Sequence, residues 1–529
     1  MKPCLRHISY AVAGAFLLSL PWLGIFPAWS MLFAFLPLFI LEDDLSKTRN
    51  NNPFLLFNYL FLCFWLWHLF TVWWVVKVTL SGIISLSVLN SMIMAYIWWL
   101  YHQMKVKFST SLASIGFAAI WLAFEYCHHR WEIEWPWLCL GNGLASEHKL
   151  IQWYEYTGML GGSLWILISN LILFAIWNKI RSKQFALAIR KGMFWFLVVA
   201  FPTWWSLNRY ENYAEQGDAV EMVLLQPNID PFTEKFSGMS AEDQVEKIIL
   251  LSDSLIGPNT RFVIGPETCL PQLDEDQLIN NDFIQAFLTR TNNTQLSFIL
   301  GAITRKDFPI DGDRPSAARL DSIKNCWYVL YNSAILISSN QIPQVYHKSI
   351  LVAGVEKMPF ERYFSFLKSY SLNLGGTTGS LGADSESTIF KTTPAIGPVI
   401  CFESLFGQYM SQSVKKGADV FVVITNDGWL TNQSGYRQHL DIAKIRAIET
   451  RRSIARSANT GISAFVNQRG DVITETAWWV ETGIRDTITT NDTTTFYAQY
   501  GDFIGRLAAF ISILLTLYFF IQSKIHKKA

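Results

Sequence analysis

Residues 394–406 read Pro-Ala-Ile-Gly-Pro-Val-Ile-Cys-Phe-Glu-Ser-Leu-Phe. The apolar run predicts a buried strand that ends at Cys401, and the polar residues after it predict the start of a helix. A thiol at such a strand-to-helix elbow is positioned as a nucleophile. It then needs a base to form the thiolate and a donor to hold an oxyanion. A single cysteine at a strand end is more often a buried apolar residue, so this interpretation depends on the rest of the chain.

Two other stretches end apolar runs with the groups that such a thiol needs. Residues 262–271 read Phe-Val-Ile-Gly-Pro-Glu-Thr-Cys-Leu-Pro and put Glu267 just after a β-branched strand. Lys348 follows a further apolar run, and Glu356 lies eight residues later. A glutamate in a partly dry pocket can take the thiol proton, and a lysine can hold the oxyanion together with the backbone N–H after Cys401. One such residue alone is usually solvated, but the ordered set favours catalysis.

The order Glu, Lys, Cys resembles the triad of the nitrilase, or carbon-nitrogen hydrolase, superfamily. Three runs narrow the resemblance to its apolipoprotein N-acyltransferase branch, which carries a nitrilase domain on a membrane bundle. They are Cys401-Phe402-Glu403, Tyr346-His347-Lys348 and Thr425-Asn426-Asp427-Gly428-Trp429.

The resemblance implies that Glu267, Lys348 and Cys401 are catalytic. It also implies supporting roles for Glu356 and Glu403, and the branch commonly has Tyr where this chain has Phe402. Asn332 and Asn426 lie beside the expected site, either to orient substrate or as turn residues. Phe236, in a loop from Asn228 to Gly238, either lines an acyl groove or packs on the domain.

The composition indicates a large membrane part. Of the 529 residues 51% are hydrophobic and only 16% are charged, against about 25% charged in ordinary soluble domains. The net charge of +1 and the absence of a basic stripe argue against a nucleic-acid partner. The seven cysteines include no CxxC pair, so neither a disulfide framework nor a zinc site is expected. No cofactor or metal is predicted.

We predict about eight membrane spans from apolar stretches of suitable length. They lie at 8–20, 22–41, 54–76, 79–101, 108–127, 155–178, 190–207 and 502–522. Lys and Arg residues cluster at alternate ends, so both termini are expected in the cytoplasm. The predicted domains are an N-terminal bundle (1–207), a periplasmic catalytic domain (208–500), and a C-terminal helix with a basic tail (501–529) in the bacterial inner membrane. Within the bundle Glu125 is a candidate functional carboxylate, with Arg130 as its expected partner.

From Ala219 short β-branched runs alternate with amphipathic helices, which predicts a layered α/β domain. The resemblance sharpens this to a nitrilase-like α-β-β-α sandwich, whereas the pattern alone supports only an α/β domain with mixed sheets. Helices are predicted at 241–256, 274–290, 404–416 and 437–457.

The resemblance implies a reaction in two steps. Phospholipid gives an acyl chain to Cys401 as a thioester, and the α-amine of the diacylglyceryl-modified N-terminal cysteine of an apolipoprotein then accepts it. The partners are therefore a phospholipid donor, diacylglyceryl-modified apolipoproteins and membrane lipid. Two alternatives stay open: a membrane-anchored amidase or nitrilase that uses water as acceptor, and a transporter with an accessory domain.

Overall fold

The computed structural model describes residues 3–47, 53–78, 80–235, 238–292, 294–312, 314–339, 341–360, 380–430 and 434–525. Contacts divide the chain into two compact units. The first comprises residues 1–131, 135–213 and 500–529, and the second comprises residues 132–134 and 214–499.

The first unit is helical. Its α-helices are Pro3–Ser19, Leu36–Ser46, Pro53–Val72, Leu80–Lys107, Thr110–His128, Tyr154–Thr157, Met159–Arg181, Phe185–Asn212 and Phe503–Ile525. Short 3₁₀ helices join them at Ala28–Phe33, Trp73–Lys77, Pro136–Leu138 and Leu140–Leu150.

Five helical segments in the described part of the chain are long and apolar enough to cross a membrane. They are Phe54–Lys77, Gly82–Lys107, Thr110–His128, Met159–Arg181 and Phe185–Asn212. Two shorter apolar helices, Cys4–Ser19 and Phe503–Phe519, fall below that length. A polytopic bundle is therefore confirmed, but the predicted count of eight spans is not.

The span predicted at 22–41 is wrong as a single helix. A turn with Gly24 at φ +65° and the ring of Pro27 interrupt it before the helix Leu36–Ser46 begins. Asn170 satisfies the interrupted backbone, because its side chain accepts from the N–H of Phe35 (2.8 Å) and donates to the carbonyl of Met31 (2.9 Å). Irregular backbone inside a bundle is stable only with such internal partners.

The predicted partner of Glu125 is also wrong. Glu125 is buried and accepts hydrogen bonds from the indole N–H of Trp121 (2.9 Å) and the backbone N–H of Leu140 (2.8 Å). Arg130 instead bonds to Asp502 at 2.8 Å. Glu125 thus joins its own helix to the 3₁₀ helix that starts at Leu140.

The second unit contains two β-sheets. Its strands in the described residues are β1 (Ala219–Gln226), β2 (Thr260–Ile264), β3 (Leu270–Asp274), β4 (Ser297–Pro309), β5 (Arg319–Asp321), β6 (Cys326–Ser338), β7 (Gln344–His347), β8 (Ile396–Ile400), β9 (Val420–Thr425), β10 (Ile454–Ala458), β11 (Ala464–Val466), β12 (Val472–Glu475) and β13 (Thr482–Thr489). The eight-stranded sheet has the order β13-β1-β2-β4-β6-β5, with β3 on β4 and β7 on β6. The five-stranded sheet has the order β12-β11-β10-β9-β8.

The two sheets pack face to face with helices outside them. Alternate residues of β1 show this, because Met222 and Leu224 belong to the core cluster shared with Ile400 and Ile424 of the other sheet. Val223 and its neighbours face the helices instead. The outer helices are Ala241–Leu255 and Asp282–Thr291 on one side, and Gly407–Lys415 and Ser434–Thr450 on the other. The predicted α-β-β-α sandwich is confirmed.

Two helix predictions in this unit need correction. The helix predicted at 437–457 ends at Thr450, where Arg451 adopts φ +50°, and the chain continues as strand β10. The helix predicted at 274–290 is a 3₁₀ helix at Glu275–Asn280 followed by the α-helix Asp282–Thr291. Asn281 separates them because its side chain caps the second helix.

Candidate active site

The residues predicted to be catalytic lie at strand ends on one edge of the sandwich. Glu267 follows β2, and Lys348 follows β7. Strand β7 runs in the same direction as β2, because β4 is parallel to β2, β6 is antiparallel to β4 and β7 is antiparallel to β6. Cys401 follows β8 in the second sheet. Glu267 and Lys348 are therefore carried by one sheet and Cys401 by the other.

Cys401 forms the elbow between β8 and a 3₁₀ turn, with its backbone at φ +51°. Non-glycine residues rarely adopt this left-handed conformation, and it often marks functional sites. Burial, and then the negative charge of Glu267, raise the pKa of the thiol above its ordinary value, while the positive charge of Lys348 opposes them. The resting sulfur is thus a thiol that needs a base before it can attack.

Lys348 is a buried cation. Its ammonium group lies 2.9 Å from a carboxylate oxygen of Glu356 and 3.4 Å from Oε1 of Glu267. Burial acts to lower the pKa of Lys348, but the charges of Glu356 and Glu267 outweigh it and raise the pKa above its ordinary value. The ammonium is therefore available to a developing negative charge in the site.

Glu267 is held on both carboxylate oxygens. Asn332 donates to Oε1 at 2.7 Å, and the backbone N–H of Asn426 donates to Oε2 at 3.0 Å. The same Asn332 amide also donates to Glu356 at 3.0 Å. Gly301 of β4 packs closely against the loop that carries Glu267. A Cβ at Gly301 would lie only 2.5 Å from the carbonyl oxygen of Pro266. The carboxylate is therefore fixed in position.

Glu403 ties the lysine segment to the cysteine segment. Its Oε1 accepts from the hydroxyl of Tyr346 and the N–H of Ser349, both at 2.6 Å, and its Oε2 accepts from the N–H of Ile400 at 2.7 Å. Burial raises the pKa of Glu403 to about 7, against these hydrogen bonds. The expectation that Glu403 supports the site fits this geometry.

The remaining predicted residues differ in their placement. Asn426 donates to Glu267 through its backbone N–H, and its side-chain oxygen accepts from the N–H of Gly428 and the side chain of Asn459. Phe402 is buried, with its ring 5.3 Å from that of Phe406. Phe236 lies outside the described residues.

Lys235 was not singled out from the sequence, yet it contacts the loop that carries Glu267, the predicted base. Its buried ammonium donates to the hydroxyl of Thr268 at 2.6 Å and to the backbone carbonyl of Glu267 at 3.2 Å. Burial lowers the pKa of Lys235 to about 8. Lys235 belongs to a loop without periodic pattern, so its position became apparent only from the fold.

A buried polar cluster behind Cys401 was also missed. It consists of Ser404, Asp427, His439 and Arg456. Asp427 belongs to a run that carries the family resemblance, whereas Arg456 lies on β10, which was predicted as helix. The charge of Arg456 next to Ile454 and Ala455 was the one local signal that could have drawn attention to the cluster.

A Glu, a Lys and a Cys at one edge of an α-β-β-α sandwich define an enzyme of the carbon-nitrogen hydrolase class. Residues 224–497 match the carbon-nitrogen hydrolase family model, and the chain belongs to that family. Residues 14–172 match the model of the apolipoprotein N-acyltransferase N-terminal domain. The resemblance found in the sequence is confirmed. With five helices in its described part that are long and apolar enough to span a bilayer, the chain is a membrane protein.

Relatives that carry the name apolipoprotein N-acyltransferase align along most of the chain. The protein of Chlorobaculum tepidum is 28% identical over 523 residues, which cover 95% of each chain. That of Thermotoga maritima is 27% identical and covers 77% of this chain and 71% of its own. That of Geobacter metallireducens is 26% identical and covers 94% and 92% respectively.

Proposed function

We propose that the chain is an N-acyltransferase that completes lipoprotein maturation. It moves an acyl chain from phospholipid to the α-amine of the N-terminal diacylglyceryl-cysteine of an apolipoprotein, through a thioester on Cys401. The observation that carries the proposal is the thiol at a left-handed elbow, under the opposed charges of Glu267 and Lys348. The names of the relatives and the two matching family models support the acceptor class.

In the first step Glu267 takes the proton of the Cys401 thiol, and the sulfur attacks the ester carbonyl of the phospholipid. The negative charge that forms on the carbonyl oxygen is held by the ammonium of Lys348 and by the backbone N–H of Phe402. As the C–O bond breaks, Glu267 returns the proton to the leaving alkoxide. The products are the thioester and a lysophospholipid.

In the second step the α-amine of the acceptor cysteine attacks the thioester carbonyl. Glu267 removes a proton from the attacking nitrogen, and Lys348 again holds the oxyanion. The C–S bond breaks, the sulfur recovers the proton, and an amide is released. One acyl group is transferred, and the enzyme returns to its starting state.

The proposed location is the bacterial inner membrane with the catalytic unit in the periplasm. It is supported by the Lys and Arg residues that cluster at one set of helix ends, such as Lys179, Arg181 and Lys183 between two apolar helices. Both proposed substrates are lipids, so membrane embedding brings their reacting groups to the enzyme.

The proposal is tested by mass spectrometry of the intact protein after incubation with phospholipid. We expect an acyl adduct that Cys401→Ala abolishes, and that Cys326→Ala, a control cysteine on β6, leaves unchanged. A diacylglyceryl peptide should then discharge the adduct as an amide. Discharge to free fatty acid at the same rate with or without the peptide would favour the amidase alternative, and absence of any adduct would favour the transporter.

A further inference from the structure

Three side chains behind Cys401 have the contacts of a serine-histidine-aspartate triad. His439 Nε2 lies 2.8 Å from Ser404 Oγ, and His439 Nδ1 lies 3.0 Å from Asp427 Oδ1. Arg456 donates to Asp427 Oδ2 at 2.6 Å and lies 3.1 Å from His439 Nδ1. All four residues, the three of the triad and Arg456, are at most 2% exposed.

The directions of the hydrogen bonds exclude Ser404 as a nucleophile. Its hydroxyl donates to the backbone carbonyl of Cys401 at 2.8 Å, and a carbonyl oxygen can only accept. The single hydroxyl proton is therefore committed, and His439 must donate its Nε2–H to Ser404 Oγ. The imidazole thus has no free lone pair at Nε2 to serve as a base for Ser404.

His439 donates to Ser404, and Ser404 donates to the carbonyl oxygen of the peptide that joins Cys401 to Phe402. The carbonyl of Cys401 and the N–H of Phe402 belong to one planar unit and point in opposite directions. Anchoring the carbonyl oxygen on Ser404 therefore fixes the direction of the N–H. His439 Nε2 also approaches the same carbonyl at 3.3 Å.

The anchored peptide follows the residue with φ +51°, a conformation that the surroundings must maintain. The helix Ser434–Thr450 carries His439 and β10 carries Arg456, so both come from elements far along the chain. Asp427 is held from three sides, because Thr425 donates to its Oδ1 at 3.1 Å in addition to the contacts of His439 and Arg456. The array is buried, and each of its members is hydrogen-bonded to another member.

We propose that Ser404 and His439 are positioning residues for acyl transfer, which aim the N–H of Phe402 at the oxyanion through the carbonyl of Cys401. Asp427 and Arg456 keep the imidazole oriented. The inference rests on the proposed function, because it assigns the array to the oxyanion of the thioester-forming step. On this proposal the serine, histidine and aspartate position a backbone N–H and do not form a second hydrolytic site.

The test uses the full-length protein in detergent and compares two reactions of Cys401. Thioester formation from phospholipid passes through an oxyanion, whereas alkylation by iodoacetamide forms no oxyanion. We expect Ser404→Ala to slow thioester formation by about 10-fold to 100-fold, as for a small misplacement of a catalytic group, and to leave the alkylation rate unchanged. The matched control is Ser411→Ala, which removes another buried hydroxyl that donates to a backbone carbonyl. It should leave both rates unchanged.

A second pair of variants keeps the test independent of the folding of Ser404→Ala. The substitution His439→Gln can place an amide N–H near the position of Nε2, so it should retain more thioester formation than His439→Leu. Parent-like thioester formation in both Ser404→Ala and His439→Leu would overturn the inference, and so would an equal loss of alkylation and thioester formation. If the parent protein forms no thioester, the proposed function itself fails, and the inference falls with it.

Discussion

The carboxylate of Glu403, two residues after the thiol, accepts a 2.6 Å hydrogen bond from the backbone N–H of Ser349, the residue after Lys348. A second oxygen of the same carboxylate accepts from Ile400, the residue before Cys401. One side chain thus sets the spacing between the two strand ends that supply the cation and the sulfur.

Glu403→Gln is therefore expected to weaken the fold and the reaction together. Both oxygens of the Glu403 carboxylate accept hydrogen bonds. A glutamine side chain has an NH₂ group in place of one oxygen, and this group cannot accept from the donors that face it. The free energy of unfolding should fall by about 1 to 3 kcal/mol, seen as a lower thermal midpoint in detergent, with slower thioester formation. Glu386→Gln is the control, because its exposed pair with Lys416 should contribute little. A midpoint equal to the parent's in Glu403→Gln would contradict the assigned role.

The histidine before Lys348 should make stability depend on pH. Burial acts to lower the pKa of His347, but hydrogen bonds to Asp384 and Glu275 outweigh it and raise the pKa to about 9. Between pH 6.5 and 9 the folded protein therefore holds a proton that the unfolded chain has lost. The resulting stabilisation, about 3 kcal/mol, is complete below pH 6.5 and disappears as the pH rises through 9.

This prediction is checked by thermal midpoints measured from pH 6 to 9.5 in the parent and in His347→Gln. The difference between the two proteins should shrink across that range. Lys235, whose lowered pKa has the opposite effect at alkaline pH, is present in both proteins and cancels in the difference. A constant difference at all pH values would show that His347 holds no extra proton in the folded state.

Glu267 and Lys348 should be separable by the same two reactions of Cys401. Glu267→Gln removes the base and also the charge that raises the thiol pKa, so thioester formation should fall about 100-fold or more while alkylation is at least as fast as in the parent. Lys348→Met removes the charge that lowers the thiol pKa, so alkylation should slow. Thioester formation should also lose about 3 kcal/mol of transition-state stabilisation. Slower alkylation in Glu267→Gln, or faster alkylation in Lys348→Met, would reverse the assigned charges.

The proposed topology predicts the location of two fused reporters. A reporter after Ser182, in the basic connection between two apolar helices, should be active as a cytoplasmic reporter. One after Tyr213, where the next helix has ended, should be active outside the cytoplasm. As a control, each site is fused separately to a reporter that is active only in the cytoplasm and to one that is active only outside it. The reverse pattern would overturn the assignment of the catalytic unit to the periplasm.

The strand ends that form the site were predictable because the information is local. Glu267, Lys348 and Cys401 each follow an apolar run, and strands that run in one direction end at the same edge. The identity of their partners was less accessible. Asn332 bridges two carboxylates from the middle of β6, and neither its spacing nor its neighbours distinguish it from a turn residue.

The errors arose where a distant partner decides the local structure. The apolar composition of 22–41 suits a straight span, and hydrogen bonds from Asn170 and Ser169, more than 130 residues away, stabilise the interrupted form. Strand β10 continues directly from a long helix and contains Arg456, which is acceptable in a buried strand because Asp427 neutralises it. The local sequence pattern cannot predict either of these long-range contacts.

In the proposed mechanism the base and the cation come from the eight-stranded sheet and the thiol comes from the five-stranded sheet, so the reaction requires that both sheets have folded and packed. The eight-stranded sheet alone would hold a base and a cation with nothing to activate, and the five-stranded sheet alone would hold a thiol whose proton has no acceptor. A newly made chain is surrounded by ester lipids from the moment it enters the bilayer. If Cys401 and Glu267 act as proposed, they meet only when both layers have packed, so we expect an unfinished molecule to be unable to cleave the membrane in which it is being assembled.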